Sequence, residues 1–156
     1  MSRRVDYFDD PSAPAPNSLV PGGAALVVDD QGRILLQRRA DSGNWSLPGG
    51  AMDLGETLGG AVVREVREET GLDVELTGVL GIYTDPRHVI AYADGEVRQE
   101  FVVAFTARPV GGTLAVSDES TEVAWFDPAD VPRLRMHESV RLRIGHWLAD
   151  AAPHIG

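Results

Sequence analysis

Gly50-Ala-Met-Asp-Leu-Gly-Glu56-Thr-Leu-Gly-Gly-Ala-Val-Val-Arg64-Glu65-Val66-Arg-Glu68-Glu69-Thr-Gly71-Leu72 is the stretch whose reading decides the fold. It reads as a loop, a short helix and a second loop. At about 100° per residue, Glu65, Glu68 and Glu69 fall within roughly a third of the helix circumference, and Val62, Val63 and Val66 form the adjoining apolar stripe. One face packs while its neighbour is crowded with carboxylates. Like charges at i, i+3 and i+4 repel by a few tenths of a kcal/mol per pair on an exposed helix, a cost that Gln or Lys would avoid. A bound cation would remove it. Hard cations such as Mg²⁺ take oxygen ligands, prefer octahedral geometry and keep several waters. The competing reading is a plain solvated acidic face.

The flanking residues decide against that plain reading. The stretch resembles the Nudix box, G-x5-E-x7-R-E-U-x-E-E-x-G-U with U a bulky aliphatic residue, and meets it at Gly50, Glu56, Arg64, Glu65, Val66, Glu68, Glu69, Gly71 and Leu72. Such a match arises at a given start by chance roughly once in ten billion, taking ordinary residue frequencies. Trp45-Ser-Leu-Pro48-Gly49 looks like the strand and turn that lead into the box in this family. The resemblance runs from about Val20 to about Leu148, as strand pattern and scattered residues outside the box.

The resemblance implies an α/β fold, an α/β/α sandwich around a mixed sheet, and a metal-dependent pyrophosphohydrolase. In similar enzymes the carbonyl of the residue before the first box Gly is a metal ligand, which falls on Gly49. Glu65, Glu68 and Glu69 would be ligands of Mg²⁺, or of Mn²⁺ in its place, while Arg64 pairs with Glu56 and orients the glutamates. A bidentate guanidinium suits that task, since it holds a carboxylate in a plane. Glu119, six residues ahead of Trp125, corresponds to an acid that serves as metal ligand or base in MutT-like members. Glu122 is its rival. The implied reaction is attack of water on one phosphorus of a diphosphate, with a carboxylate taking the proton and metal neutralising charge.

Composition bounds the rest. The chain has 156 residues, a one-domain length, and a formal charge of −10, which disfavours a broad nucleic-acid footprint. It contains no Cys, and all 14 basic residues are Arg, so thiol and Lys chemistry are excluded. No apolar run approaches the ~20 residues of a membrane span, and a cytoplasmic location is the default expectation. The expected partner is a small nucleotide, with a homodimer possible.

Residues 1–19 read as an arm or linker, 20–150 as the Nudix domain and 151–156 as a tail. Ala24–Val28 and Arg33–Arg39 read as a hairpin around Asp29–Gly32, and Val74–Tyr83 as a further strand. A second hairpin is expected from Val89–Ala93 and Glu96–Ala107 around Asp94-Gly95. Thr121–Phe126 is a short strand, and residues 138–149 a helix with Val140, Ile144, Trp147 and Leu148 on one face. For the substrate, Arg39 is a phosphate candidate that cannot face inward together with Arg38, and Tyr83, Tyr92 and Phe101 are candidates to stack on a base. Pro86 lies where ADP-ribose-cleaving relatives often carry Pro, but Thr84-Asp-Pro-Arg is also an ordinary turn. His88 and His137 have no metal-ligand spacing and read as bystanders. A nucleoside triphosphate, a nucleotide sugar such as ADP-ribose, and RNA 5′-end processing all remain open, as does a non-catalytic sensor domain.

Overall fold

The computed structural model describes residues 4–150 and 152–156, so the first three residues of the expected arm and residue 151 of the tail lie outside it. In chain order the strands are β1 (Arg4–Phe8), β2 (Ser18–Leu19), β3 (Gly22–Val27), β4 (Ile34–Arg39), β5 (Trp45–Ser46) and β6 (Gly49–Ala51). Helix α1 (Leu58–Thr70) precedes β7 (Leu72–Tyr83), β8 (His88–Tyr92), β9 (Val97–Gln99), β10 (Val102–Gly112) and β11 (Ser120–Phe126). A 3-10 turn at Pro128–Arg133, helix α2 (Glu138–Leu148) and β12 (His154–Ile155) follow.

The central sheet runs β12-β7-β10-β3-β6 and is mixed, with β3 parallel to β10 and antiparallel to β6. All of β3 is buried, because its alternate side chains enter two different cores. Ala25 and Val27 pack with Leu35 and with Val62 and Val66 of α1. Ala24 and Leu26 pack with Ile34, Leu36 and with Val140 and Ile144 of α2. The two helices thus cover opposite faces, which is the expected α/β/α sandwich. Fully burying a Val contributes about 1.5–3 kcal/mol, so the valine stripe of α1 outweighs the few tenths lost to repulsion between its glutamates.

Helix α1 starts at Thr57, whose hydroxyl accepts from the Gly60 N–H at 3.0 Å, and ends at Gly71 with φ 81°. A Cβ on Gly71 would collide with the Thr113 carbonyl. This box glycine is therefore needed both for its left-handed conformation and for the close approach of the loop behind it.

Both expected hairpins are reshaped by the need to feed several sheets. β3 and β4 meet only at the Val28–Ile34 bridge, after which β4 leaves for a three-stranded sheet, β11-β4-β5. The second begins as expected, with Gly95 at φ 95°, but its return strand breaks at Glu100-Phe101. β9 stays with β8, while β10 crosses to β3 and β7. The arm is also more ordered than its composition suggested. β1 pairs antiparallel with β8, β2 pairs parallel with β9, and Asn17 bonds across to Gly95 and Val97. Helix α2 buries Val140, Ile144 and the unforeseen Arg143, whereas Leu148 is 55% exposed.

Gly71→Ala is expected to lower unfolding free energy by more than about 2 kcal/mol in urea titrations, since strain and collision add. Gly32→Ala, with φ 75° but nothing within 4 Å of the new methyl, should cost only about 1–2 kcal/mol.

Candidate active site

Glu69 is the deepest carboxylate of the box, 6% exposed. Its Oε2 accepts from Gln37 Nε2 of β4 at 2.6 Å and from the Gly49 N–H of β6 at 3.0 Å. Burial pushes its pKa up to about 8, with the neighbouring Glu65 charge adding to the rise and the Gly49 and Gln37 donors opposing it. Glu65 is also raised by burial, against the pull of Arg64. Gly50 is what lets Glu65 sit there, because a Cβ would lie 2.7 Å from its carboxylate.

Arg64 organises the more exposed acids. Its Nε and Nη2 clamp Glu56 at 2.7 and 2.9 Å, while Nη1 donates to Glu65 at 3.0 Å and to Glu68 at 3.2 Å. The clamp holds the Glu56 carboxyl down at about 2 and raises the guanidinium pKa in turn. The spacing of the box is thereby explained: Glu56 anchors the arginine, and the arginine fixes two acids of the helix.

Glu65, Glu68, Glu69, Gly49 and Gly50 line one chamber of a cleft, with Glu119 on its rim. The Glu119 loop is tied to the fold by the Ala40 N–H, which donates to the Glu119 carbonyl at 2.9 Å. Glu122 does not line the chamber; its carboxylate pairs with Arg38 Nη1 at 3.2 Å. Strand alternation resolves the arginine pair the same way. Arg39 lines the chamber, held by Asp41 at 2.7 and 2.9 Å, and Arg38 turns away.

A second chamber, about 180 Å³, opens from the first and shares Arg39, Gly49, Gly50, Tyr92 and Arg98 with it. Phe101 lines it. Tyr83 does not. It is 6% exposed, its hydroxyl bonds His146 Nδ1 at 2.8 Å and its ring stacks on His146 and His154, so it serves the core. The alternation that points Tyr83 inward sends it to the α2 side.

His88 and His137, which lack metal-ligand spacing in the sequence, are brought together by the tertiary fold. His88 Nε2 lies 3.3 Å from Asp6 of β1, the two imidazoles stack at 5.0 Å, and both line the inner chamber. Burial opposes the charge on Asp6, but the His88 bond and Arg4 outweigh it and hold the carboxyl at about 2. His137 Nδ1 meanwhile accepts from the Ser139 N–H and caps α2. Gln37 joins the site as well, and its signal in the sequence is a polar residue directly after the apolar run Ile34–Leu36.

The chamber contains many carboxylates and few bases, so an anionic phosphate would be repelled unless a cation intervened. The carboxylates that line it are oxygen ligands of the kind that hard divalent ions take. This arrangement defines a class, a hydrolase of phosphorus acid anhydrides that works with a divalent metal. The family model for the NUDIX domain matches residues 19–148, and the chain belongs to that family. A MutT-like protein of Streptomyces ambofaciens is 40% identical over 85% of this chain and 79% of its own length. An ADP-ribose pyrophosphatase of Methanocaldococcus jannaschii is 35% identical over 78% of this chain and 70% of its own. The solved MutT NUDIX hydrolase of Burkholderia pseudomallei superposes with a TM-score of 0.67 at 29% identity, covering 83% of this chain and 98% of that one.

A carboxyl whose folded pKa exceeds its ordinary 4.5 binds more protons folded than unfolded, so stability falls as pH rises. The metal-free protein is therefore expected to lose thermal stability between pH 4.5 and about 8. Glu69→Gln should flatten that slope, as read by melting temperature in EDTA. An unchanged slope in the variant would contradict the assignment.

Proposed function

We propose that this chain hydrolyses a diphosphate bond in a small nucleotide derivative with Mg²⁺, for which Mn²⁺ can substitute. The observation that carries the reading is the buried Glu69 with the half-buried Glu65 beside it, both opening onto a cleft that also presents Arg39 and Arg98. Glu65, Glu68, Glu69 and the Gly49 carbonyl would hold the cation. When bound, the metal supplies charge neutralisation on the phosphates and lowers the pKa of a coordinated water.

The chain's own groups do the remaining work. Arg64 keeps Glu65 and Glu68 in fixed orientations through its clamp on Glu56, so the ligand set is pre-organised. Gln37 and the Gly49 N–H hold Glu69 from behind. Arg39 offers a charged donor to a phosphate. Glu119, on the rim and with no arginine partner among the described residues, would take the proton from the attacking water. Nucleoside triphosphates and nucleotide sugars both fit this reading, the latter in keeping with the name of the archaeal relative, an ADP-ribose pyrophosphatase.

Glu69→Gln is expected to reduce Mg²⁺-dependent hydrolysis at least tenfold with the fold intact by circular dichroism, and turnover equal to the parent would remove Glu69 from the ligand set. Glu119→Gln should lower kcat by about 10²–10⁴ with little change in KM, while Glu122→Gln stays within about twofold. The substrate panel is nucleoside triphosphates, ADP-ribose, dinucleoside polyphosphates and capped RNA. No product from any of them would favour a binding domain without turnover.

A further inference from the structure

Arg143 is the one large cation that α2 turns into the protein rather than out to solvent. It is 7% exposed, and its buried Nε has no hydrogen-bond partner among the described residues. Among the described residues no carboxylate comes within 4.0 Å of its guanidinium, which lies 4.9 Å over the Tyr83 ring. Burial accordingly pulls its pKa down. A buried guanidinium lacking a carboxylate is costly, and this one lines the inner chamber. Two further groups of that chamber are also underused. Ser46 Oγ is buried without a partner among the described residues, and the Glu100 carboxylate stands 3.9 Å from His88 Nδ1, beyond hydrogen-bond reach.

The size and chemistry of the chamber narrow what would complete it. About 180 Å³ is less than the ~300–1,000 Å³ that holds a drug-sized ligand, so it suits one heterocycle rather than a whole nucleotide. Phe101 and Tyr92 line it, and aromatic walls suit a flat ring. Arg4, Arg39 and Arg98 also line the chamber, but each is already paired with a carboxylate, so a phosphate here would rely on Arg143 and would meet the charge of Glu100. The ligand must instead bring acceptors to Arg143 and donors to Glu100. Guanine does both, with O6 and N7 as adjacent acceptors that a guanidinium reads bidentately, and N1–H and the N2 amino group as donors beside them. Adenine places its N6 amino group where O6 would be, so two donors would face each other.

Resting on the diphosphate reading of the outer chamber, we infer that the inner chamber binds a 6-oxopurine base, with Arg143 taking O6 and N7 and Glu100 taking N1–H and N2–H. The diphosphate then extends past Gly49 and Gly50, which both chambers share, to Arg39 and the glutamates. The preferred substrates are guanine-type nucleotides rather than adenine ones such as ADP-ribose.

The test is calorimetric binding of GMP and AMP to the full chain in EDTA, where no turnover occurs. GMP should bind at least about tenfold more tightly than AMP, with 7-deaza-GMP weakened by loss of N7 and IMP by loss of the amino group. In Arg143→Met, checked for folding by circular dichroism, the GMP-to-AMP ratio should collapse toward one. Arg143→Lys, which keeps the charge but not the planar fork, should lose most of it as well. Equal affinities in the parent, no GMP binding, or a ratio retained in both variants would overturn the assignment. GMP preference without hydrolysis of any nucleotide would sink only the hydrolase reading, and hydrolysis without base preference only the Arg143 assignment.

Discussion

The Glu69 carboxylate, holding Gln37 Nε2 at 2.6 Å and the Gly49 N–H at 3.0 Å, is where three separately folded elements meet. Helix α1 supplies the acid, β4 the amide and β6 the backbone donor. Each is placed by apolar packing, with Val62 and Val66 seating the helix on Ala25, Val27 and Leu35. The hydrophobic term is what allows a carboxylate to be driven into a site where burial keeps it protonated up to about pH 8. On the proposed reading a divalent cation takes the place of that proton.

The rest of the cleft follows from the same constraint. Gly50 must lack a side chain because Glu65 lies against it, and Gly71 must turn left-handed so that β7 can return beneath the helix. Arg64 donates to Glu56, Glu65 and Glu68 together, which limits the repulsion among the carboxylates of the helix. Charge is thus graded through the cleft, from the exposed, clamped Glu68 to the buried Glu69 at its base.

The box was fully legible in the sequence because its spacing is local: one helix and its two flanking loops contain every fixed position. The sandwich was legible too, from strands of period 2 and two amphipathic helices. What escaped was whatever depends on chain crossing between sheets. The break at Glu100-Phe101 is invisible in a run of strand-forming residues, yet it turns Glu100 into the inner chamber. Tyr83 and Phe101 looked equivalent as sheet aromatics, and only the direction of each strand's pleat sends one to the core and the other to the cleft. Asp6 and His88 are 82 residues apart in the chain and meet through β1–β8 pairing. Arg143 broke the apolar pattern of α2, and such a break was the available signal that the helix faces more than a core.

The central claim is that the Glu65–Glu69 pair stores a proton which a divalent cation displaces. Titrating Mg²⁺ calorimetrically into the protein at pH 7, in two buffers of different ionisation enthalpy, measures that proton directly. The account predicts heats that differ between buffers by a proton release, with the release fading above about pH 8 as Glu69 ionises unaided. Mg²⁺ binding with identical heats in both buffers at pH 7 would contradict it.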